Sequence, residues 1–121
     1  MSKQEVPPWI REHLIRFEQA QQNLQNILLQ KQQIEIELIE IEKALAELTK
    51  SDDGTIIYKS VGSLLIKTNK KDMVSELNER REFGNTRVTI LAKQENRVSE
   101  SLKEIQAKIE SASSGKTQPQ S

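Results

Sequence analysis

Apolar positions fall into three blocks along this chain: a heptad row, a pair of short apolar runs, and a second heptad row. From Ile10, steps of seven lead to Phe17, Leu24, Lys31, Leu38 and Leu45. Beside that row, Leu14 and Leu28 sit four residues on, and Ile27, Ile34, Ile41 and Leu48 sit three residues on. A row flanked at three or four residues is the stripe of a long amphipathic helix. The flank passes from the four-residue to the three-residue side near Ile27 and Leu28, so a seam that loosens toward the N-terminus is expected. In the second row, Val74/Leu77, Arg81/Gly84, Val88/Leu91, Glu95/Val98, Leu102/Ile105 and Ile109/Ala112 are six successive a/d pairs. Sustained a/d heptads with charges between them predict a coiled coil. Gly84 costs about 1 kcal/mol relative to alanine in a helix interior. The heptad phase is nonetheless unbroken from Leu77 to Leu91, which predicts a continuous helix through Phe83-Gly84-Asn85.

Local signals set the boundaries. Pro8 suits a first helical position, where its missing N–H costs nothing. Asp52-Asp53-Gly54 supplies a helix stop and turn. Asn69 followed by Asp72 reads as an N-cap with a carboxylate near the positive end of the helix. Ser113-Ser114-Gly115 ends the second helix. The expected division is a tail at 1–7, helix 1 at 8–50, a hairpin element at 51–68, helix 2 at 69–112 and a disordered tail at 113–121. Each helix is about 65 Å long at 1.5 Å per residue. The connection is short, so the helices fold back antiparallel, with residue i opposite about 122 − i and both chain ends at one tip.

Between the helices, Thr55–Ser60 and Leu64–Thr68 are β-branched, apolar runs joined by Val61-Gly62-Ser63, which predicts a β-hairpin. The apolar centres of both runs want burial on both faces. A lone hairpin is marginal in water and leaves two open edges. The fold class expected is therefore mostly α: a long antiparallel two-helix coiled coil with one hairpin between its helices. That hairpin calls for assembly, with edges from several chains closing a sheet. Ile56, Ile57, Tyr58, Val61, Gly62, Leu64, Leu65 and Ile66 are the assembly candidates.

Composition agrees with a thin core. Of 121 residues, 35% are hydrophobic and 30% charged, with one Trp, one Tyr, two Phe and no Cys. An ordinary domain is roughly 45–50% apolar. The absence of Cys excludes disulfides, thiolate catalysis and thiolate zinc sites. Eighteen basic residues balance eighteen acidic ones, and neither helix is a basic stripe, which argues against a nucleic-acid partner. No apolar run approaches the roughly 20 residues of a membrane span, so no membrane partner is expected. His13, the one histidine, reads as a helix surface residue. Glu35, Glu37, Glu40 and Glu42 alternate with isoleucines and read as a solvated face, as do the Lys70-Lys71 and Arg80-Arg81 pairs. The scattered glycines form no phosphate cradle, and no base accompanies a nucleophile. No catalytic residue, metal or cofactor is expected.

Three further features stand out. Lys31 and Glu95 occupy seam positions, either paired across the seam and fixing register, or snorkelling to solvent. Gln19–Gln33 is rich in Gln and Asn and reads as a neutral polar helix face. Val6, Trp9, Ile10 and Leu14 converge at the tip with Ile105, Ile109 and Ala112. They either cap the seam or form a sticky surface for apolar segments of other chains.

The segment Tyr58-Lys59-Ser60-Val61-Gly62-Ser63-Leu64-Leu65-Ile66-Lys67 resembles the hairpin motif of the prefoldin beta class. The Val6-Pro7-Pro8 entry and Gln30-Lys31-Gln32 resemble its archaeal version, and the likeness covers residues 5–112. The alpha class carries two hairpins, whereas this chain has one. The resemblance implies a hexamer of two alpha and four beta subunits, its hairpins joined into two eight-stranded barrels from which coiled coils hang. It further implies a cytoplasmic, ATP-independent holdase that captures unfolded client proteins at the tips and passes them to a group II chaperonin. A scaffold coiled coil without chaperone activity is the alternative.

Overall fold

The computed structural model describes residues 6–113, in the order α1 (Pro8–Lys50), β1 (Ile57–Val61), β2 (Leu64–Thr68) and α2 (Lys70–Ser113). The tails expected at 1–7 and 113–121 therefore lie outside the described residues, apart from Val6, Pro7 and the last residue of α2. α1 opens on Pro8, as its fixed φ favours. The Arg11 N–H donates to the Pro7 carbonyl, and the Arg11 guanidinium to the Val6 carbonyl. At its C-terminus, Thr49 and Ser51 hydroxyls donate back to the Leu45 and Glu47 carbonyls. Lys70, from the first turn of α2, donates to the Ser51 carbonyl at 2.8 Å, placing a cation where carbonyls lack partners. α2 is capped as its sequence predicts: the Asp72 N–H donates to Asn69 Oδ1 at 2.9 Å.

The chain divides into two compact units, residues 31–90 and residues 1–30 with 91–121. In the first, α1 and α2 pack antiparallel around Ile41, Leu48 and Leu77, with Ala44, Leu45, Met73, Val74 and Ile57 against them. In the second, Ile27 and Leu91 are buried, and the rows His13/Lys108, Ala20/Ser101 and Ile27/Gln94 line shared grooves. No side chain in the described residues falls below 2% exposure. That follows from geometry: a two-helix layer buries one line of residues and leaves every other position within reach of water.

Gly84 lies within an unbroken α2. A Cβ there would stand 2.8 Å from Leu38 Cδ2 and 3.5 Å from Ile34 Cγ2. Leu38 is the residue that the 122 − i rule places opposite, so the missing side chain lets Leu38 fill the layer from the other helix.

Two seam-flank readings need correction. Glu37 and Glu42 are not simply solvated: Arg80 pairs with Glu37 at 3.5 Å and Arg81 with Glu42 at 3.1 Å. Arg81 Nη2 also donates to Asn78 at 2.8 Å. A half-buried arginine at an a position is thus accommodated by reaching sideways to partners.

The Gly84–Leu38 contact sets a thermodynamic cycle. Gly84→Ala should change stability by less than about 1 kcal/mol, because gained helix propensity is offset by displacing Leu38. In a Leu38→Ala background the same substitution should stabilise by about 1 kcal/mol. Urea melts of the four proteins measure both values, and equal effects in the two backgrounds would contradict the contact.

Candidate functional site

β1 and β2 pair antiparallel, in register from Ile57↔Thr68 to Val61↔Leu64. The strand begins at Ile57 rather than Thr55 and includes Val61, so the turn is the two residues Gly62-Ser63. Gly62 adopts φ +59, the left-handed value that two-residue hairpin turns demand at their first position. Ile56 lies outside the ladder but is exposed.

Paired residues share a face of the ladder. One face carries Ile57, Lys59, Val61, Leu64, Ile66 and Thr68, and the other Tyr58, Ser60, Leu65 and Lys67. Ile57 anchors the first face on the Ile41–Leu48–Leu77 cluster. Lys59 Nζ meets Glu76 Oε1 of α2 at 2.8 Å in a partly buried pair. These two contacts fix the base of the hairpin. Beyond it the apolar residues are uncovered: Leu64 is 63% and Leu65 72% exposed, and Tyr58, Val61 and Ile66 are exposed as well. The sheet has two strands, so each strand keeps an unpaired edge among the described residues.

The tip candidates divide in two. Val6, Trp9 and Leu14 are exposed, whereas Ile10, Ile105, Ile109 and Ala112 are half-buried along the seam. Trp9 packs edge-on against His13, with ring centroids 5.6 Å apart and planes at 85°. His13 is therefore no ordinary surface residue. It is half-buried, and its Nδ1 has no hydrogen-bond partner among the described residues. Its place three residues after Ile10, a seam spacing, is the signal that the sequence reading missed. Ile15 and Leu29 stand off the seam row and are exposed, and Leu28, placed beside that row by its spacing, is exposed as well. In the other unit, exposed Phe83 borders a groove with Gly84, Ile34, Glu37, Arg80 and Arg87. Among the described residues no helix is long and apolar enough to cross a membrane. No cluster of three or more His, Cys, Asp or Glu suits a metal ion there.

Two long helices with a two-stranded antiparallel hairpin between them, its apolar residues uncovered, define a coiled-coil subunit class. Residues 11–115 match the family model described as a prefoldin subunit. The chain is 42% identical over 109 residues to the prefoldin subunit beta of Thermococcus onnurineus, covering 90% of this chain and 94% of that one. It is 38% identical over 114 residues to the prefoldin subunit beta of Methanosarcina acetivorans, covering 94% and 97%. The crystal structure of the prefoldin beta subunit from Thermococcus strain KS-1 matches with a TM-score of 0.78 at 41% identity, covering 91% and 96%. The chain belongs to the prefoldin subunit family, a family of chaperone subunits.

The turn gives a local test. Gly62→Ala should cost about 1–2 kcal/mol, the penalty of a side chain in the left-handed region. Gly54→Ala, where a Cβ meets nothing within 4 Å, should change stability by less than about 0.5 kcal/mol. Thermal or urea melts of the two variants should separate them in that order.

Proposed function

We propose that this chain is the beta-type subunit of a cytoplasmic, ATP-independent holdase, assembled through its hairpin and binding unfolded proteins at its helix ends. The observation that carries the reading is the hairpin: a strand pair with two open edges and apolar residues on both faces, in a chain of the prefoldin family. Such a surface is marginal in water and favours cover by further strands. The proposed cover is the hairpins of alpha subunits and of other copies of this chain. Four chains with one hairpin and two alpha chains with two supply sixteen strands, enough for two closed eight-stranded barrels. The client is an unfolded protein, and the proposed recipient is a group II chaperonin.

Capture would run on burial of client apolar surface against Val6, Trp9, Leu14 and the upper seam. At about 25 cal/mol per Å², a few hundred Å² per tip yields only a few kcal/mol. Several subunits engaging one client raise the effective affinity without strengthening any single contact. Weak individual contacts leave the client free to transfer, and no nucleotide is needed.

Two variants test the two halves of this proposal. Leu65→Lys should leave helix content and the isolated chain's stability within about 0.5 kcal/mol, since the residue is exposed. It should abolish the high-mass species formed with an alpha subunit, as read by light scattering; an unchanged assembly would refute hairpin closure. Trp9→Ala with Leu14→Ser should preserve that species and weaken suppression of client aggregation. Undiminished suppression would remove the tip from the binding surface, and a scaffold would show assembly with no suppression at all.

A further inference from the structure

The outward face of α2 carries an uncovered aromatic ring beside a groove able to receive one. Phe83 is 69% exposed. It borders a groove of about 600 Å³ with half-buried Ile34 and buried Gly84 at its bottom and exposed Arg80 and Arg87 at its rim. The groove has a cause in the helix surface. Side chains four residues apart form ridges; Glu79, Phe83 and Arg87 make one, and Arg80, Gly84 and Val88 make the next. Gly84 adds no side chain to the second ridge, so the space between the two deepens beside Phe83. Charge on the first ridge is arranged about the ring, with a carboxylate four residues before it and a guanidinium four residues after it. Neither Glu79 nor Arg87 has an ion-pair partner among the described residues, whereas Arg80 and Arg81 both reach carboxylates of α1.

A knob next to a groove, with opposite charges on either side, meets the requirement of a two-fold contact, in which one surface must complement itself. Ridges of residues four apart interdigitate when two helices cross at about 50°, the commonest packing class. With two copies of α2 running in opposite directions about such an axis, Phe83 of each enters the groove of the other. Glu79 of each then falls beside Arg87 of the second copy, once at each end of the contact. The incoming ring passes between Arg80 and Arg87, whose guanidinium groups can lie over its face. Arg80 brings no unmatched charge, because Glu37 holds it at 3.5 Å. An unfolded segment could fill the groove with an apolar side chain, but it would leave Glu79 and Arg87 unanswered.

We propose that the Phe83 ridge of α2 is a self-association face, closed by a second copy of this chain through a two-fold contact. The contact uses no hairpin edge, so it can join chains already assembled through their hairpins, and it stands whether or not the chaperone reading does. A single helix crossing centred on one ring per copy falls below the roughly 1,200 Å² of a stable interface. The association is therefore weak and concentration-dependent.

The test uses the full chain carrying Leu65→Lys, which disfavours association through the hairpin, in sedimentation velocity at rising chain concentration. This chain should form dimers, and Phe83→Ser in the same background should weaken dimerisation about tenfold or more. Glu79→Arg and Arg87→Glu should each weaken it severalfold, since each sets like charges together at both ends of the contact. An equimolar mixture of those two variants should recover it, because each chain then offers the charge the other needs. A role within one chain could not be restored by another. Helix content by circular dichroism should be unchanged throughout. A Leu65→Lys chain still monomeric at about 1 mM, dimerisation indifferent to Phe83→Ser, or a mixture no better than its components would overturn the proposal. A photo-crosslinking residue at position 83 should capture a second copy of the chain. Capture of reduced, carboxymethylated lysozyme or of an alpha subunit in its place would give the groove to a client or to subunit assembly, and would overturn the proposal as well.

Discussion

Two α-helices can meet only along a line, and that restriction governs everything else in this protein. A third layer would let apolar residues close over one another; without it, burial is confined to one seam. Ile27, Ile41, Leu48, Leu77 and Leu91 reach the interior, and their neighbours stay partly wet. With so narrow a core, each layer must be filled from whichever helix can reach it. The Leu38–Gly84 layer is the clearest case, since a leucine on one side occupies the space a side chain on the other would take. Arg81, in a row otherwise meant for apolar residues, is accommodated by turning its head to Glu42 and Asn78.

The same shortage of interior explains why the hairpin is held at its base and bare beyond it. Ile57 uses the last available piece of seam, and the Lys59–Glu76 pair orients the strand against α2. The remaining strand residues have no layer of their own chain to pack on. An apolar surface created this way is not a defect of packing. On the function proposed above, it is apolar area left for other chains to cover.

Much of this was legible in the residues. Heptad spacing foretold both helices and the register that sets Leu38 against Gly84. Pro8 and Asn69 marked the helix starts, and the paired apolar runs marked the hairpin. What escaped the pattern depended on direction rather than spacing. The turn looked three residues long because Val61 is followed by two small residues, but the left-handed Gly62 allows a tighter reversal and draws Val61 into the ladder. Arg80 and Arg81 looked solvated because their partners lie about forty positions away in sequence. The residue type of His13 suggests the surface, but its seam spacing half-buries it. Spacing places Leu28 beside the stripe and leaves Leu29 off it, yet both side chains are exposed, because the buried line at that level runs through Ile27. The division of the tip candidates into exposed Trp9 and Leu14 and half-buried Ile105 and Ile109 likewise required coordinates.

The two-residue turn also acts as a gauge. It leaves five paired positions on each strand, from Ile57↔Thr68 to Val61↔Leu64. At about 3.3 Å per residue that is a ladder roughly 16 Å deep. Any strand laid along either edge meets hydrogen-bonding groups over that depth and no further. A partner with longer strands would leave backbone groups unmatched at its margins, and one with shorter strands would leave some of these bare. The edge open to a partner is thus five residues long, closed at one end by the Gly62 turn and at the other by Ile57 and Thr68.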